Sequence, residues 1–120
     1  MMNIEEVREY CLQKAGVEES FPFDATTLVF KVGNKMFALL SLEEGNSLNL
    51  KCEPEKAIRL REQYSFVLPG FHMNKKHWNT IQNISLVPRQ LLVQWIDDSY
   101  QLVFLKLSKS LRMSIQRDLY

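Results

Sequence analysis

The sequence predicts a single α+β domain, residues 1–120, in which helices pack on one face of an antiparallel sheet as a two-layer sandwich. Three observations support this fold class. The chain has 120 residues, 46% of them hydrophobic, which suits one ordinary globular domain. Its segments alternate between a helical period of three to four residues and a strand period of two. The strand-like segments mostly follow one another directly, and such neighbours usually pair antiparallel.

The first half of the chain predicts one helix and then three strands. Apolar residues at helical spacing indicate a helix over about 3–15, with Gly16 as its C-cap. Two β-branched and aromatic segments, 26–32 and 35–42, flank a Gly-Asn pair that suits a two-residue hairpin turn. Residues 48–52 alternate between apolar and polar and predict a third strand. One face of the second strand is expected to carry Met36, Ala38, Leu40 and Leu42.

The second half predicts helices around two short strands. A proline opens a helix over about 54–63, and short strands are expected at 66–68 and 77–81 on either side of a Pro-Gly turn. Pro88 opens a third helix, which is either one long helix or, because of a capping-type spacing, two consecutive helices with a predicted break near 97–98. The C-terminal helix carries an apolar stripe of Leu107, Leu111, Ile115 and Leu119.

Composition excludes several classes of protein. No apolar stretch is longer than five residues, far short of the roughly 20 that cross a membrane. The first residues lack the basic and apolar regions of a signal peptide, so we expect a cytoplasmic protein without a membrane partner. Cys11 and Cys52 are then two free thiols rather than a disulfide framework. With four glycines in the chain, no glycine-rich phosphate loop can form.

The charges are unevenly distributed, although the formal net charge is only +1. Residues 1–50 hold four lysine and arginine residues against eight acidic ones, whereas residues 51–90 hold seven against three. This asymmetry could build a positive surface for an anionic partner. The alternative is an ordinary solvated face on which both signs are interspersed.

The densest polar segment is 72–80, where cations and amides surround Trp78. Such side chains contact phosphates and stack on bases, so the segment fits a nucleic-acid contact. It equally fits a solvated turn that leads into a strand, with Trp78 as part of the core.

Candidate catalytic and metal-binding residues are few. Cys52, His72 and His77 lack the spacing of a zinc site, and adjacent helical residues such as Asp97 and Asp98 point in different directions. Cys52 falls on the apolar phase of its strand, where a thiol is normally inert. We therefore expect no catalytic residues, no metal site, no cofactor and no enzymatic activity.

Several segments resemble the MmcQ/YjbR family, and they occur in the family's order from the first helix to about Leu107. The most specific is the stretch PGFHMNKKHWNT at residues 69–80. The resemblance implies a CyaY-like (frataxin-like) α+β sandwich, and DNA binding through a double wing of projecting hairpin loops. It implies no catalytic residues. The segments that carry it are Phe21-Pro22-Phe23, 29–38, 50–55, 69–80 and 97–103.

Together these observations predict a non-enzymatic DNA-binding module that contacts phosphates through a basic surface. The alternative is a protein-interaction or ligand-sensing domain without nucleic-acid binding, which the near-neutral charge and the amphipathic C-terminal stripe favour. Iron binding of the frataxin kind ranks lower, because the first helix offers few carboxylates. The residues expected to bind nucleic acid are Lys31, Lys35, Lys75, Lys76, His77 and Arg89.

Overall fold

The computed structural model describes residues 1–43 and 46–117. Glu44 and Gly45 of the predicted loop after the second strand, and Leu119 of the predicted stripe, lie outside these residues. The strands are β1 (Val17–Ser20), β2 (Thr27–Val32), β3 (Lys35–Ser41), β4 (Leu48–Lys51), β5 (Val67–Pro69) and β6 (Trp78–Ile81). The helices are α1 (Ile4–Leu12), α2 (Pro54–Gln63), α3 (Arg89–Leu105) and α4 (Lys109–Arg117). Among the residues described, no helix combines the length and the apolar character that crossing a membrane requires.

The six strands form one antiparallel sheet in the order β1-β2-β3-β4-β6-β5, which confirms the predicted fold class. The helices cover one face of the sheet. The main core lies between these helices and the sheet, which contributes inward-facing residues such as Phe30, Leu40 and Leu48. The opposite face, called the open face below, carries a smaller apolar cluster of Val29, Leu39 and Trp78.

Two local predictions are confirmed in detail. The second helix occupies Pro54–Gln63, as its proline and its periodicity indicate. Between β2 and β3, Val32 pairs with Lys35, and the two residues that connect them have φ angles of 56° and 64°. Positive φ at both central positions is the geometry that a Gly-Asn pair adopts in a tight hairpin.

The strand β1 is absent from the sequence-based prediction, and α1 ends three residues earlier than expected. The helix ends at Leu12, so Gly16 with its φ of 72° lies in the connection to β1 rather than at the C-cap. The strand contains two glutamates, which have low strand propensity but are common on a sheet edge. Glu19 accepts a 2.7 Å hydrogen bond from Arg8 Nε, which ties the edge strand to α1.

The strand β3 contains a β-bulge that changes which side chains face the core. Phe30 pairs with Ala38 while Lys31 pairs with Met36, so Phe37 is an extra residue. Phe37 and Ala38 both enter the main core. Met36, which the alternation placed on the same face as Ala38, instead packs on the open face against the cluster around Trp78.

The predicted break near 97–98 is wrong, because α3 continues to Leu105. The chain breaks instead just before α4, where the Ser108 hydroxyl accepts a 3.2 Å hydrogen bond from the Leu111 N–H.

The apolar stripe of this last helix packs on its own domain. A Cβ added at Gly33 would lie 2.7 Å from Leu107 and 2.9 Å from Leu111, and one at Gly16 would lie 2.9 Å from Ile115.

Candidate functional site

A cationic cleft lies at the end of the sheet where β3 begins, β4 ends and α3 ends. Its volume is about 380 Å³. Lys35, Lys51 and Lys106 are its charged residues, and no carboxylate from the described part of the chain lines it. We call it the lysine cleft. Its lining residues are Lys35, Met36, Lys51, Trp78, Val103, Lys106 and Leu107.

The charges of this cleft are not neutralised by neighbouring acids. Partial burial lowers the pKa of Lys51, and the positive charges of Lys106 and Lys35 lower it further. Within residues 1–43 and 46–117, none of the three lysines forms an ion pair. An anion in the cleft would relieve their mutual repulsion, so the cleft is chemically suited to a phosphate or carboxylate.

A buried hydroxyl positions the central lysine. Ser99 of α3 accepts a 2.8 Å hydrogen bond from the Lys51 N–H and donates a 2.6 Å hydrogen bond to the Phe37 carbonyl. The same side chain therefore binds the bulge of β3 and the end of β4. This arrangement fixes the backbone from which the Lys51 side chain extends toward the open face.

The structure places the six sequence-predicted residues in different surroundings. Lys35 lies in the lysine cleft. Lys31 lies on the neighbouring strand β2, directly opposite Glu18 of β1, so an acidic residue lies beside it. Arg89 lies at the opposite end of α3 and bonds to Glu6 at 3.5 Å. Because the helix rises about 1.5 Å per residue, about 20 Å separates Arg89 from the end of α3 that lines the cleft.

The other three predicted residues lie in the turn before β6. The Lys75 ammonium donates a 3.0 Å hydrogen bond to the Gly70 carbonyl, and Lys76 is exposed. The His77 carbonyl accepts a 2.8 Å hydrogen bond from the Cys52 N–H, so this turn lies beside the end of β4. Arg61 of α2 holds the turn by donating to the Lys75 carbonyl.

The hairpin between β2 and β3, whose turn Lys31 and Lys35 flank as a phosphate-contacting wing would require, does not project freely. Leu107 and Leu111 lie against its turn at Gly33. Lys35 at the base of this hairpin therefore faces the lysine cleft beside the end of α3 instead of extending alone into solvent.

A second and larger concavity crosses the open face beside the lysine cleft. This open-face groove has a volume of about 840 Å³ and shares Met36 with the cleft. Two exposed aromatic rings stand in its opposite walls: Phe23 is 64% exposed and Phe71 is 56% exposed. The lining residues are Phe23, Asp24, Thr26, Thr27, Met36, Leu39, Ser41, Glu43, Ser47, Asn49, Phe71, His72, Met73 and Asn74.

The wall that carries Phe71 is tied to the sheet by a ring of hydrogen bonds. The Phe71 N–H donates to the Thr80 hydroxyl at 2.7 Å, and that hydroxyl donates to Asn49 Oδ1 at 2.5 Å. Asn49 Nδ2 then donates back to the Phe71 carbonyl at 3.2 Å. The backbone of an exposed aromatic residue is thus held by buried Thr80 and half-buried Asn49.

The opposite wall is held by Asp24. Its carboxylate accepts hydrogen bonds from the N–H groups of Thr26 at 2.9 Å and Thr27 at 2.7 Å. These bonds, the one from the Thr26 N–H foremost, lower the pKa of Asp24. Phe23 directly precedes this aspartate, so the backbone of Phe23 is joined to a turn that these hydrogen bonds hold in place.

The candidate nucleophiles and metal ligands have unreactive surroundings. Burial raises the pKa of the Cys52 thiol, and it raises that of Cys11 to about 12, which disfavours the nucleophilic thiolate. In the part of the chain that the structure describes, no three histidine, cysteine or acidic side chains form a group that could hold a metal ion.

The molecule is thus a two-layer α+β domain with one sheet face that none of the described helices covers, and known proteins of this class resemble it. The YjbR family model matches residues 12–102. The chain is 37% identical over 101 residues to uncharacterized protein YjbR of Escherichia coli K12, which covers 83% of this chain and 86% of that protein. The chain belongs to the YjbR family. It is also 29% identical over 117 residues to uncharacterized protein YyaQ of Bacillus subtilis 168, covering 85% and 98% of the two chains.

Solved structures agree with this assignment. The crystal structure of Deinococcus radiodurans protein DR2400, described as a DUF419 domain, has a TM-score of 0.89 and 36% identity. The match covers 97% of this chain and 89% of that chain. A protein from Pseudomonas syringae has a TM-score of 0.74 and 26% identity, covering 85% and 99%. These likenesses confirm the predicted family and fold class, whereas the frataxin-like comparison and the DNA-binding function stay predictions.

Proposed function

We propose that this chain is a non-enzymatic nucleic-acid-binding module, with DNA as its ligand and the lysine cleft as its phosphate contact. The observation that carries the proposal is the convergence of Lys35, Lys51 and Lys106 on one cleft that no described carboxylate lines. Lysine ammonium groups bind phosphate oxygens as point charges, and a cleft concentrates their field. Lys76 and His77 lie beside the end of β4 and extend the same basic end of the sheet.

Arg89 and Lys75 have other roles in this proposal. Arg89 is at the far end of α3 and forms an ion pair with Glu6, while Lys75 donates to a backbone carbonyl within its own turn. Lys51 and Lys106 are not among the six residues predicted from the sequence, and they take part because the end of β4 and the residue after α3 both line the cleft. The proposed contact is therefore small, and it is consistent with a net charge of only +1.

The proposal is tested by the salt dependence of binding. Filter binding with labelled duplex and single-stranded DNA at several salt concentrations gives the slope of log affinity against log salt. Lys35→Gln should weaken binding several-fold and reduce the slope by about 0.7 to 0.9, which is the contribution of one phosphate contact.

The matched control is Arg89→Gln, which removes the same charge from the far end of α3 and should change neither quantity. Absence of binding at low salt, or an equal loss of affinity in both variants, would contradict the proposal.

A further inference from the structure

We propose that the open-face groove holds an unpaired base, so that the groove and the lysine cleft together select single-stranded nucleic acid over duplex. This inference rests on the proposed function and adds the form of the ligand. It is based on the position of the groove, on its chemistry and on the way its aromatic walls are held.

The groove and the cleft are adjacent along one strand. Asn49 lines the groove and Lys51 lines the cleft, and both point to the open face of β4 because they are two residues apart. Two residues of a strand span about 7 Å. A phosphate at Lys51 therefore places the attached sugar and base toward Asn49, within the reach of a single nucleotide.

The charges of the two concavities complement the two ends of a nucleotide: the cleft is positive and suits the phosphate, and the groove is not positive and suits the base. The cleft contains three lysines, whereas no lysine or arginine of residues 1–43 and 46–117 lines the groove, which has Asp24 and Glu43 in its lining. These carboxylates repel a phosphate from the groove, so a nucleotide has one favoured orientation. The hydroxyls of Thr27 and Ser41, and the second N–H of the Asn49 amide, whose first N–H donates to the Phe71 carbonyl, supply hydrogen bonds for the polar edges of a base.

The walls of the groove present aromatic rings on constrained backbone. Phe71 is anchored through Thr80 and Asn49, and Phe23 leaves the turn that Asp24 holds. Rings carried on a fixed backbone lose less conformational freedom when a base stacks on them than rings on a mobile loop. A duplex keeps its bases stacked on one another, so only an unpaired base can use these rings.

The experiment compares a single strand of about twelve nucleotides with the duplex of the same sequence, since single-strand sites commonly span 4 to 16 nucleotides. Phe71→Ala should weaken single-strand binding about tenfold or more, because stacking on one aromatic ring contributes about that much. Duplex binding and the salt slope should stay unchanged. Thr80→Val, which removes the hydroxyl that anchors the Phe71 loop, should have a smaller effect in the same direction.

The matched control is Phe21→Ala, since Phe21 is also exposed but does not line the groove. The inference is overturned if wild-type protein binds duplex as tightly as single strand, if Phe71→Ala has no effect, or if a free mononucleotide binds as tightly as the oligonucleotide. If one of these results is obtained but Lys35→Gln still weakens binding to DNA, the further inference fails and the proposed function stands. If no nucleic acid binds, both proposals fail.

Discussion

At the scale of single residues, Ser99 links the fold to the lysine cleft. Its hydroxyl is fully buried and satisfies one group from each of two strands: the carbonyl of Phe37 and the N–H of Lys51. A buried polar group left without a partner costs about 1–3 kcal/mol, so this hydroxyl is a strong constraint on the backbone there. The Lys51 side chain starts from this constrained position and extends between two other cations.

The lowered pKa of Lys51 predicts how binding depends on pH. A bound phosphate favours the charged amine and raises its pKa, so binding at alkaline pH takes up a proton. Affinity should therefore fall as pH rises through the lowered pKa of Lys51, below the usual lysine value of about 10.4. Filter binding across this alkaline range measures the effect.

Lys51→Arg is the control, because arginine stays charged in this range and should remove most of the pH dependence. The unliganded protein should show the opposite trend. The unfolded chain holds the Lys51 proton to higher pH than the folded chain, so this residue makes the free energy of unfolding rise with pH between the two pKa values. An affinity that does not change with pH in the wild type would contradict this account.

At the scale of elements, the adjacent carboxylates of α3 fasten it to two other helices. Asp97 accepts hydrogen bonds from the Tyr10 hydroxyl at 2.6 Å and from Lys14 at 2.5 Å, both on or just after α1. Asp98 accepts a 2.9 Å bond from Lys56 of α2. Burial and the bond to Asp97 raise the pKa of Tyr10 to about 12. These links are a physical reason for α3 to continue through a segment that resembles a helix start.

A double-mutant cycle tests the link between α1 and α3. Asp97→Ala should lower the free energy of unfolding by about 1–3 kcal/mol, because it removes hydrogen bonds to a charged group. Tyr10→Phe alone should cost about 1 kcal/mol, and the two changes together should cost less than their sum. Urea denaturation measures each value. Glu62→Ala, at an exposed position of α2, should stay within about 0.5 kcal/mol of the wild type. Additive effects of Tyr10 and Asp97 would mean that the hydrogen bond adds nothing to stability.

Most elements could be predicted because burial imposes a period on the sequence, and the errors have identifiable causes. The helix Pro54–Gln63 and the hairpin at Gly33 are specified by local residues alone. The strand β1 is stabilised by pairing with β2 and by the ion pair of Glu19 rather than by its own propensity. The carbonyl of Phe37 at the bulge accepts a hydrogen bond from Ser99 of α3, a contact that no local pattern contains.

At the scale of the whole molecule, α4 closes the end of the domain by packing on two turns. Its stripe contacts Gly16 before β1 and Gly33 between β2 and β3. Gly33→Ala should therefore destabilise the protein by about 1–2 kcal/mol, because an L-residue with this positive φ is strained. The added methyl would also displace Leu107 and Leu111. Thermal unfolding should show a lower Tm.

Asn34→Gly is the matched control in the same turn. Asn34 also has a positive φ, and glycine adopts that conformation without strain, so the substitution should be close to neutral. Equal losses in Tm for the two variants would show that the packing of α4 on Gly33 does not matter.

The candidate site could be predicted only in part, because its residues are distant in the chain. Lys35, Lys51 and Lys106 lie 16 and 55 positions apart and meet only after β3 pairs with β4 and α3 packs on both strands. Alternation in β4 does indicate that Lys51 lies opposite the apolar face. No pattern around Lys106 shows where α3 ends, and none around Arg89 shows its partner Glu6.

The two tryptophans lie on opposite faces of the sheet: Trp78 beside the lysine cleft, and Trp95 in the main core against Tyr64 and Phe66. The molecule therefore carries two separate optical reporters. With Trp95 replaced by phenylalanine, all indole fluorescence would come from the side chain next to the cleft. Quenching of that emission would then follow occupancy directly, without a label on the protein or on its ligand.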